Sequence, residues 1–225
     1  MISLRAASFG RQALKTITSL KKTAHITQNI KVITGMHKLI RLLIYKKTSL
    51  TMRVRGILTK LYLKSIGAKC GKNLQMGARV TFRHPAHKNI TFGNNVLIGD
   101  NVTFDIEATA ELIIGDSVKI TGNCYIAASK KIHIGESTLI AEYVSIRDSN
   151  HATNIGTNIN AQPLQSENLI IGRDVWIGRG CAIIKGATVK DGSVIAANSV
   201  LNKQTYDNSI FAGAPAVHIK NRFQP

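Results

Sequence analysis

The sequence predicts a triangular β-solenoid, a fold in which a short coil of three flat strands repeats along one axis. The first observation is an apolar anchor at every sixth position, without a break, through Ile171, Ile177, Ile183, Val189, Ile195 and Leu201. The second is that the same spacing occurs earlier in groups of three, namely Cys70, Met76, Phe82; Phe92, Ile98, Phe104; Ile114, Ile120, Ile126; and Ile134, Ile140, Ile146. The third is that insertions fall only after every third repeat. Three hexads therefore make one coil, and every insertion leaves from the same corner of a prism.

The remaining hexad positions agree with this fold. The residue after the anchor is glycine in eight repeats, as expected where a tight corner needs unusual backbone angles or close approach: Gly71, Gly77, Gly93, Gly99, Gly115, Gly135, Gly172 and Gly178. Four positions after the anchor come small or β-branched side chains that should fill the interior: Val96, Val102, Val118, Cys124, Val144, Val175, Cys181, Ala187, Ser193 and Ser199. A β-sandwich is the competing fold, but its turns recur every ~8–12 residues without a strict period of six.

The predicted solenoid covers residues 67–205 with about six coils, enough for each coil to bury its faces against its neighbours. Residues 1–35 form a basic tail without a clear period, and they also have the composition of an organelle transit peptide. Residues 36–66 form a basic amphipathic helical segment, and residues 206–225 form a C-terminal tail. No apolar run approaches the ~20 residues that a membrane-spanning helix needs.

The positive charge is concentrated in the first part of the chain. Residues 1–99 contain 19 Lys and Arg and no acidic residue, whereas residues 100–225 contain 11 Lys and Arg and 12 acidic residues. A surplus of this kind favours a negatively charged surface as partner. Nucleic acid is disfavoured because no recognition motif accompanies the charge.

The helical segment has two interpretations that the sequence leaves open. Its apolar residues follow helical spacing at Val54, Ile57, Leu58, Leu61 and Tyr62. The helix that carries this stripe either caps the first coil, covering an open sheet edge, or lies in an anionic membrane interface. The second interpretation would place the protein peripherally at the inner face of the membrane.

The three cysteines indicate a reducing compartment. Cys124 and Cys181 occupy the same hexad position two coils apart, so stacked strands would separate them by ~10 Å, beyond disulfide reach. Cys70 has no closer partner in this register. We therefore expect three free thiols that fill the core, in a cytoplasmic protein.

Three segments resemble the C-terminal signature of the hexapeptide-repeat acyltransferases, in particular the sugar and polysaccharide O-acetyltransferase branch. They are Ile-Gly-Arg-Asp-Val-Trp-Ile-Gly at 171–178, Val-Ile-Ala-Ala-Asn-Ser-Val at 194–200 and Ala-Gly-Ala-Pro-Ala at 212–216. The resemblance implies a left-handed parallel β-helix, an exception to the usual right-handed crossover. It also implies a homotrimer, acetyl-CoA as donor substrate and no metal.

The predicted catalytic residues lie in the longest insertion, which follows Ile146. Asp148-Ser-Asn-His151 matches the D-x-x-H segment of the polysaccharide-modifying branch. Because histidine titrates near neutral pH, His151 suits the removal of a proton from an attacking hydroxyl. Asp148 either orients the His151 ring or caps the corner turn through its own backbone. Asn150 is the third candidate of this group.

The resemblance also assigns coenzyme A contacts, carried over residue by residue. The outward Trp176 would line a groove between subunits, and the backbone of Gly178 and Arg179 would bind the pantetheine arm. The remaining candidates lie along the path of the cofactor towards its nucleotide end: Ala196, Ala197, Asn202, Lys203, Pro215, Lys220 and Arg222. Two positions depart from the family pattern, since Ala196 replaces a usual glycine and Asn202 a usual threonine.

The sequence therefore predicts an acetyl-CoA-dependent O-acetyltransferase that modifies a sugar hydroxyl of a cell-surface polysaccharide or its precursor. The alternatives are an amino-sugar N-acetyltransferase and a non-catalytic or zinc-dependent β-helix protein. The zinc alternative rests on His84-Pro-Ala-His87, and the only candidate for a third ligand, His133, lies two coils on, ~10 Å away.

Overall fold

We describe the protein from a computed structural model, which describes residues 48–222. The chain divides into two compact units, Met1–Leu50 and Thr51–Pro225. Residues 48–65 are helical (α1), and 22 strands follow within the described residues. Of the predicted N-terminal segments, residues 1–35 and the first part of 36–66 lie outside the described range.

Three parallel sheets form the three faces of the predicted prism. The first face consists of β1 (Lys69–Cys70), β4 (Ile90–Phe92), β7 (Glu111–Ile114), β10 (Lys131–Ile134), β15 (Leu169–Ile171) and β18 (Thr188–Val189). The second consists of β2 (Gln75–Met76), β5 (Leu97–Ile98), β8 (Lys119–Ile120), β11 (Leu139–Ile140), β16 (Trp176–Ile177), β19 (Val194–Ile195), β21 (Ser209–Gly213) and β22 (Ala216–Asn221). The third consists of β3 (Thr81–Phe82), β6 (Thr103–Ile106), β9 (Tyr125–Ala128), β12 (Ser145–Arg147), β17 (Ala182–Ile183) and β20 (Val200–Leu201). Only β22 runs antiparallel within these sheets, as the return strand of a hairpin with β21.

The strand register confirms the hexad assignment. On the first face, Ile114 pairs with Ile134 and Ile134 with Ile171, so each anchor stacks on the anchor of the next coil. The predicted interior positions are also buried, including Val96, Val118 and Ala187. The core is therefore a continuous apolar column, and all four insertions leave from the corner between the third and first faces.

The corner glycines are explained by close approach and not by unusual backbone angles. The positive φ values lie three positions after the anchor, where asparagine is the commonest residue, for example Asn95, Asn101 and Asn123. Glycine directly after the anchor instead allows successive coils to stack closely. A Cβ atom added to Gly77 would lie 2.4 Å from the carbonyl carbon of Gly99.

Helix α1 packs on the first coil, but not through the stripe that the sequence singles out. Its buried residues are Gly56 and Leu63, whereas the apolar stripe is solvent-exposed. A Cβ atom at Gly56 would lie 1.9 Å from the carbonyl oxygen of Leu74, so the helix lies directly on that backbone. Helix α1 therefore covers the first coil, as one of the two interpretations expected, but through the side of Gly56 and Leu63 and not through the stripe.

The cysteines are free, as predicted, and two of them are fully enclosed. Cys124 and Cys181 are buried, and Cys70 is partly buried. Burial raises the pKa of the Cys124 thiol to about 11, and it also raises the pKa of Cys181. These thiols therefore act as small core side chains.

Candidate active site

The longest insertion forms an ordered loop with its own secondary structure. Strand β13 (Ser149–His151) pairs antiparallel with β14 (Leu164–Ser166), and a short 3₁₀ helix spans Ile159–Ala161 between them. The Gln162 side chain accepts a hydrogen bond from the backbone N–H of Asn154 and donates to the carbonyls of Asn154 and Thr157. The side chain of one residue thus holds the tip of the loop together.

Asp148 anchors this loop to the coil beneath it. Its carboxylate is fully buried and accepts hydrogen bonds from the backbone N–H groups of Ser129, Lys130 and Lys131, each at 2.8 Å. Because a buried carboxylate is stable only when its oxygens are satisfied, these three donors account for its presence in the core. The structure shows a corner cap, but through the backbone of the preceding coil's corner and not through the local backbone of Asp148 as the sequence suggested.

The end of the loop is fastened beside Asp148. The backbone N–H of Glu167 donates to the Asp148 carbonyl at 2.9 Å, which closes the loop at its base. The Glu167 carboxylate pairs with Lys185 of the following coil at 2.7 Å. The hydrogen bond and charge of Lys185 lower the pKa of Glu167. Both ends of the loop are therefore fixed to neighbouring coils.

His151 lies at the exposed end of β13. Among the described residues, no side-chain hydrogen bond connects its imidazole to another group, and none joins it to Asp148. Its neighbour Asn150 is also exposed. The loop thus presents an imidazole with both ring nitrogens available to solvent or substrate, on a rigid support.

The predicted coenzyme A residues do not converge within one chain. Asn202 and Lys203 are exposed at the corner between the third and first faces, the same corner from which the His151 loop leaves. The corner between the second and third faces carries Gly178, Arg179, Ala196 and Ala197, and the second face with the adjacent hairpin carries Trp176, Pro215, Lys220 and Arg222. One chain therefore distributes these residues over the second face with its hairpin and the two corners that border the third face.

Two of these residues line one concave surface. Trp176, whose surface is 52% exposed, and Arg222 flank a depression of about 640 Å³ that also includes Leu139 and Val194. Arg222 is already held there, since it pairs with Asp174 at 2.9 Å and donates to the Gly192 carbonyl. Its guanidinium therefore supports the hairpin as well as facing this depression.

The residues at the second corner have structural partners of their own. Arg179 pairs with Glu142 at 3.2 Å and lies over the Tyr143 ring. A Cβ atom at Gly178 would lie 2.6 Å from the backbone nitrogen of Ala197, so coil stacking alone requires glycine there. Lys220 belongs to β22, and Pro215 to the turn before it.

A polar cluster on the third face escaped the sequence analysis. Asp105 accepts a hydrogen bond from Tyr125 at 2.5 Å and pairs with Arg83 at 3.2 Å and His84 at 2.9 Å. Partial burial acts to raise the pKa of Asp105, but the hydrogen bond from Tyr125, the charge of Arg83 and the contact with His84 together outweigh it, so the pKa is lowered. Arg147, which directly precedes Asp148, lies over the Tyr125 ring.

The hexad register of the sequence contains a signal that could have predicted this cluster. Arg83, Asp105 and Arg147 each directly follow an anchor, the position that holds glycine in many other repeats. In this register Arg83 lies opposite Asp105 of the next coil, whereas Ala127 separates Asp105 from Arg147. The cluster lies on the face that ends at the His151 loop, so it extends the polar surface near the candidate base.

The histidines considered for zinc do not form a metal site. Within residues 48–222, no group of three or more His, Cys, Asp or Glu side chains is arranged to hold an ion. His84 pairs with Asp105, and the ring nitrogens of His87 are buried without a hydrogen-bond partner. In the same described range, no helix is both long and apolar enough to cross a bilayer.

Comparison with known proteins agrees with this architecture. Residues 168–203 match the family described as bacterial transferase hexapeptide (six repeats). The chain is 31% identical over 140 residues to the putative lipopolysaccharide biosynthesis O-acetyl transferase WbbJ of Escherichia coli K12, an alignment covering 59% of this chain and 71% of the relative.

Two solved structures have similar folds. AntD, an N-acyltransferase from Bacillus cereus solved with dTDP and coenzyme A, superimposes with a TM-score of 0.62 at 21% identity, covering 73% of this chain and 90% of AntD. The hexapeptide-repeat acetyltransferase VCA0836 of Vibrio cholerae, solved with acetyl-CoA, gives a TM-score of 0.53 at 25% identity, covering 60% and 72% of the two chains. The repeat, the coil geometry and the relationship to WbbJ together show that the chain belongs to the hexapeptide-repeat acyltransferases.

Proposed function

We propose that the protein is an acetyl-CoA-dependent O-acetyltransferase that modifies a sugar hydroxyl of a cell-surface polysaccharide or its precursor. The observation that carries the proposal is the ordered loop that holds the His151 imidazole exposed at the edge of the solenoid. The name of WbbJ, an O-acetyl transferase of lipopolysaccharide biosynthesis, supports the acceptor class.

In this proposal His151 is the general base. It takes the proton of the acceptor hydroxyl as that oxygen attacks the thioester carbonyl, and the thiol of coenzyme A is the leaving group. Asp148 acts as a positioning residue, because it fixes the backbone from which β13 begins. Asn150 is exposed beside His151 and is proposed as a second contact to the reacting groups.

We assign the donor site to Trp176, Gly178, Arg179, Ala196, Ala197, Asn202, Lys203, Pro215, Lys220 and Arg222. The apolar ring of Trp176 and the backbone of Gly178 suit a pantetheine arm. The cationic side chains of Lys203, Lys220 and Arg222 suit the nucleotide phosphates. Because these residues lie on different sides of one prism, the site would be completed between neighbouring chains.

We accordingly expect a homotrimer, since closed threefold symmetry gives three equivalent sites, each between two chains. Light scattering on purified protein should give three times the chain mass of 24.5 kDa. A monomer with full transferase activity would exclude a shared site.

The test of the function is a screen for coenzyme A release from acetyl-CoA in the presence of candidate sugars. We expect release that depends on a hydroxylated sugar acceptor and a product whose acetyl group is removed by mild alkali, as an ester is. An alkali-stable acetyl group would show an amide and hence an amino-sugar N-acetyltransferase. If none of the tested acceptors supports coenzyme A release, and if acetyl-CoA does not bind, the result would favour a protein without this catalysis.

A further inference from the structure

Helix α1 turns its most apolar side away from the solenoid. Val54, Ile57, Leu58, Leu61 and Tyr62 form this stripe, and each is between 48% and 61% exposed. In most soluble proteins such a stripe faces the core. A contiguous exposed stripe of large apolar side chains is typical of a binding surface.

The orientation of the helix is fixed by its opposite side. Leu63 is fully buried, and the backbone at Gly56 lies against Leu74 with no room for a side chain. Val54 and Leu63 are nine positions apart, which at ~100° per residue places them on opposite sides of the helix. The stripe therefore cannot rotate inwards without driving the helix off the first coil.

Cations border the stripe on both sides. Helical geometry places Arg55 along one edge and Arg53, Lys60 and Lys64 along the other. None of these four side chains forms an ion pair with a carboxylate in the described part of the chain. Apolar side chains between unpaired cations are the pattern of helices that lie in an anionic lipid interface.

The apolar surface continues beyond the helix. Leu58 and Tyr62 form one wall of a cleft of about 430 Å³, whose other wall includes Met76, Val80 and Phe82 of the first coil. Arg55 and Arg79 lie at the same cleft, so its charge has the same sign as that of the helix edges. The end of the solenoid thus presents one amphipathic surface made from α1 and the first coil.

Charge argues against two other occupants of this surface. The corresponding region of a second copy would bring the same cations together, and no acidic residue precedes Asp100 to pair with them. The chain before residue 48 carries ten Lys and Arg and no acidic residue, so it would also add like charge. An anionic lipid headgroup region supplies the missing counter-charge together with an apolar layer.

We propose that the stripe of α1 and its flanking cations bind the protein peripherally to an anionic lipid bilayer. The apolar side chains enter the interface while Arg53, Arg55, Lys60 and Lys64 contact headgroup phosphates. The His151 loop follows the fourth coil, so several coils separate it along the chain from the helix that contacts the bilayer. This binding is independent of the acyl-transfer chemistry and is measured without substrates.

The test is co-sedimentation of the full-length protein with vesicles. We expect binding to vesicles of phosphatidylcholine with phosphatidylglycerol, little binding to pure phosphatidylcholine, and weaker binding as salt rises, since headgroup attraction is screened within ~8–10 Å. The double variant Leu58→Gln/Leu61→Gln should lower the partition coefficient by about tenfold or more, because it removes the apolar part of the contact. Arg55→Gln/Lys64→Gln should reduce the preference for anionic vesicles.

The matched control is Ile155→Gln/Ile159→Gln, which removes two other exposed isoleucines, in the loop. This variant should bind vesicles as the unaltered protein does. Unchanged binding of the Leu58/Leu61 variant would overturn the proposal, and so would equal binding to neutral and anionic vesicles. A Leu58/Leu61 variant that loses oligomeric mass in light scattering without vesicles would identify the stripe as a contact between copies instead.

Discussion

Replacing His151 with alanine should lower the turnover number for acetyl transfer by ~10²–10⁴, the usual contribution of a general base. The fold should remain, because His151 is exposed at the end of β13 and makes no side-chain hydrogen bond to another described residue. The substitution therefore removes the proton acceptor without opening a cavity. Steady-state kinetics with acetyl-CoA and a sugar acceptor, together with thermal unfolding, separate the two effects.

Thr153→Ala is the matched control for this prediction. Thr153 is exposed in the same loop, two residues further along, and makes no side-chain hydrogen bond to another described residue. This variant should keep near-normal turnover. Activity of His151→Ala above about one per cent of the unaltered protein would remove His151 from the role of general base, since that residual rate corresponds to a loss smaller than the ~10²-fold minimum expected.

The solenoid could be predicted from the sequence because the residues that determine its fold recur with a strict period. An apolar anchor every six positions fixes the strand, and an insertion after every third anchor fixes the corner. The pairing of Ile114, Ile134 and Ile171 across 20 and then 37 positions follows from this count alone. Each coil contacts only its neighbours, so no long-range topology had to be inferred.

The orientation of α1 could not be predicted in the same way. Helical periodicity identifies an apolar side, but burial of that side depends on the surface available to receive it. Here the first coil offers the bare carbonyl of Leu74, which only a glycine can approach closely. The sequence feature that decided the packing was therefore Gly56, a single residue without an apolar side chain.

The site was predictable in its parts but not in its assembly. The resemblance predicts His151 and a set of donor residues, and one chain places that set on the second face and at two separate corners. The polar cluster around Asp105 depends on contacts between coils that become visible only when charged residues after the anchors are aligned in register. Residues that act across a symmetric interface leave no signal of that geometry in a single sequence.

Asp148 illustrates the same limit, because the D-x-x-H segment suggests a carboxylate that orients a histidine. In the structure the carboxylate turns inwards to the backbone N–H groups of Ser129, Lys130 and Lys131, 17 to 19 positions earlier. Those donors lie in a corner whose length varies between coils, so no fixed sequence spacing predicts that they meet the Asp148 carboxylate. The short motif thus drew attention to Asp148 but did not predict the groups to which its carboxylate binds.

Replacing Asp148 with asparagine should destabilise the protein by about 3–5 kcal/mol, because a buried amide NH₂ would face backbone N–H donors that need an acceptor. Asp148→Ala should be at least as damaging, since it leaves all three donors without a partner. For a chain of this size the melting temperature should fall by roughly 6–20 °C. Hydrogen exchange should show lost protection at the amides of Ser129, Lys130 and Lys131.

Asp116→Asn is the appropriate comparison for Asp148, because Asp116 also caps a corner by accepting the backbone N–H of Asn94, at 2.7 Å, but is exposed. Solvent can replace that cap, so its loss should lower the melting temperature far less.

The two roles of Asp148 then separate by the readout that changes. A role confined to orienting His151 would lower the turnover number of Asp148→Asn while leaving melting temperature and amide protection intact. The corner cap instead predicts that protection at residues 129–131 is lost whether or not His151 is present, so the double variant Asp148→Asn/His151→Ala should melt as Asp148→Asn does.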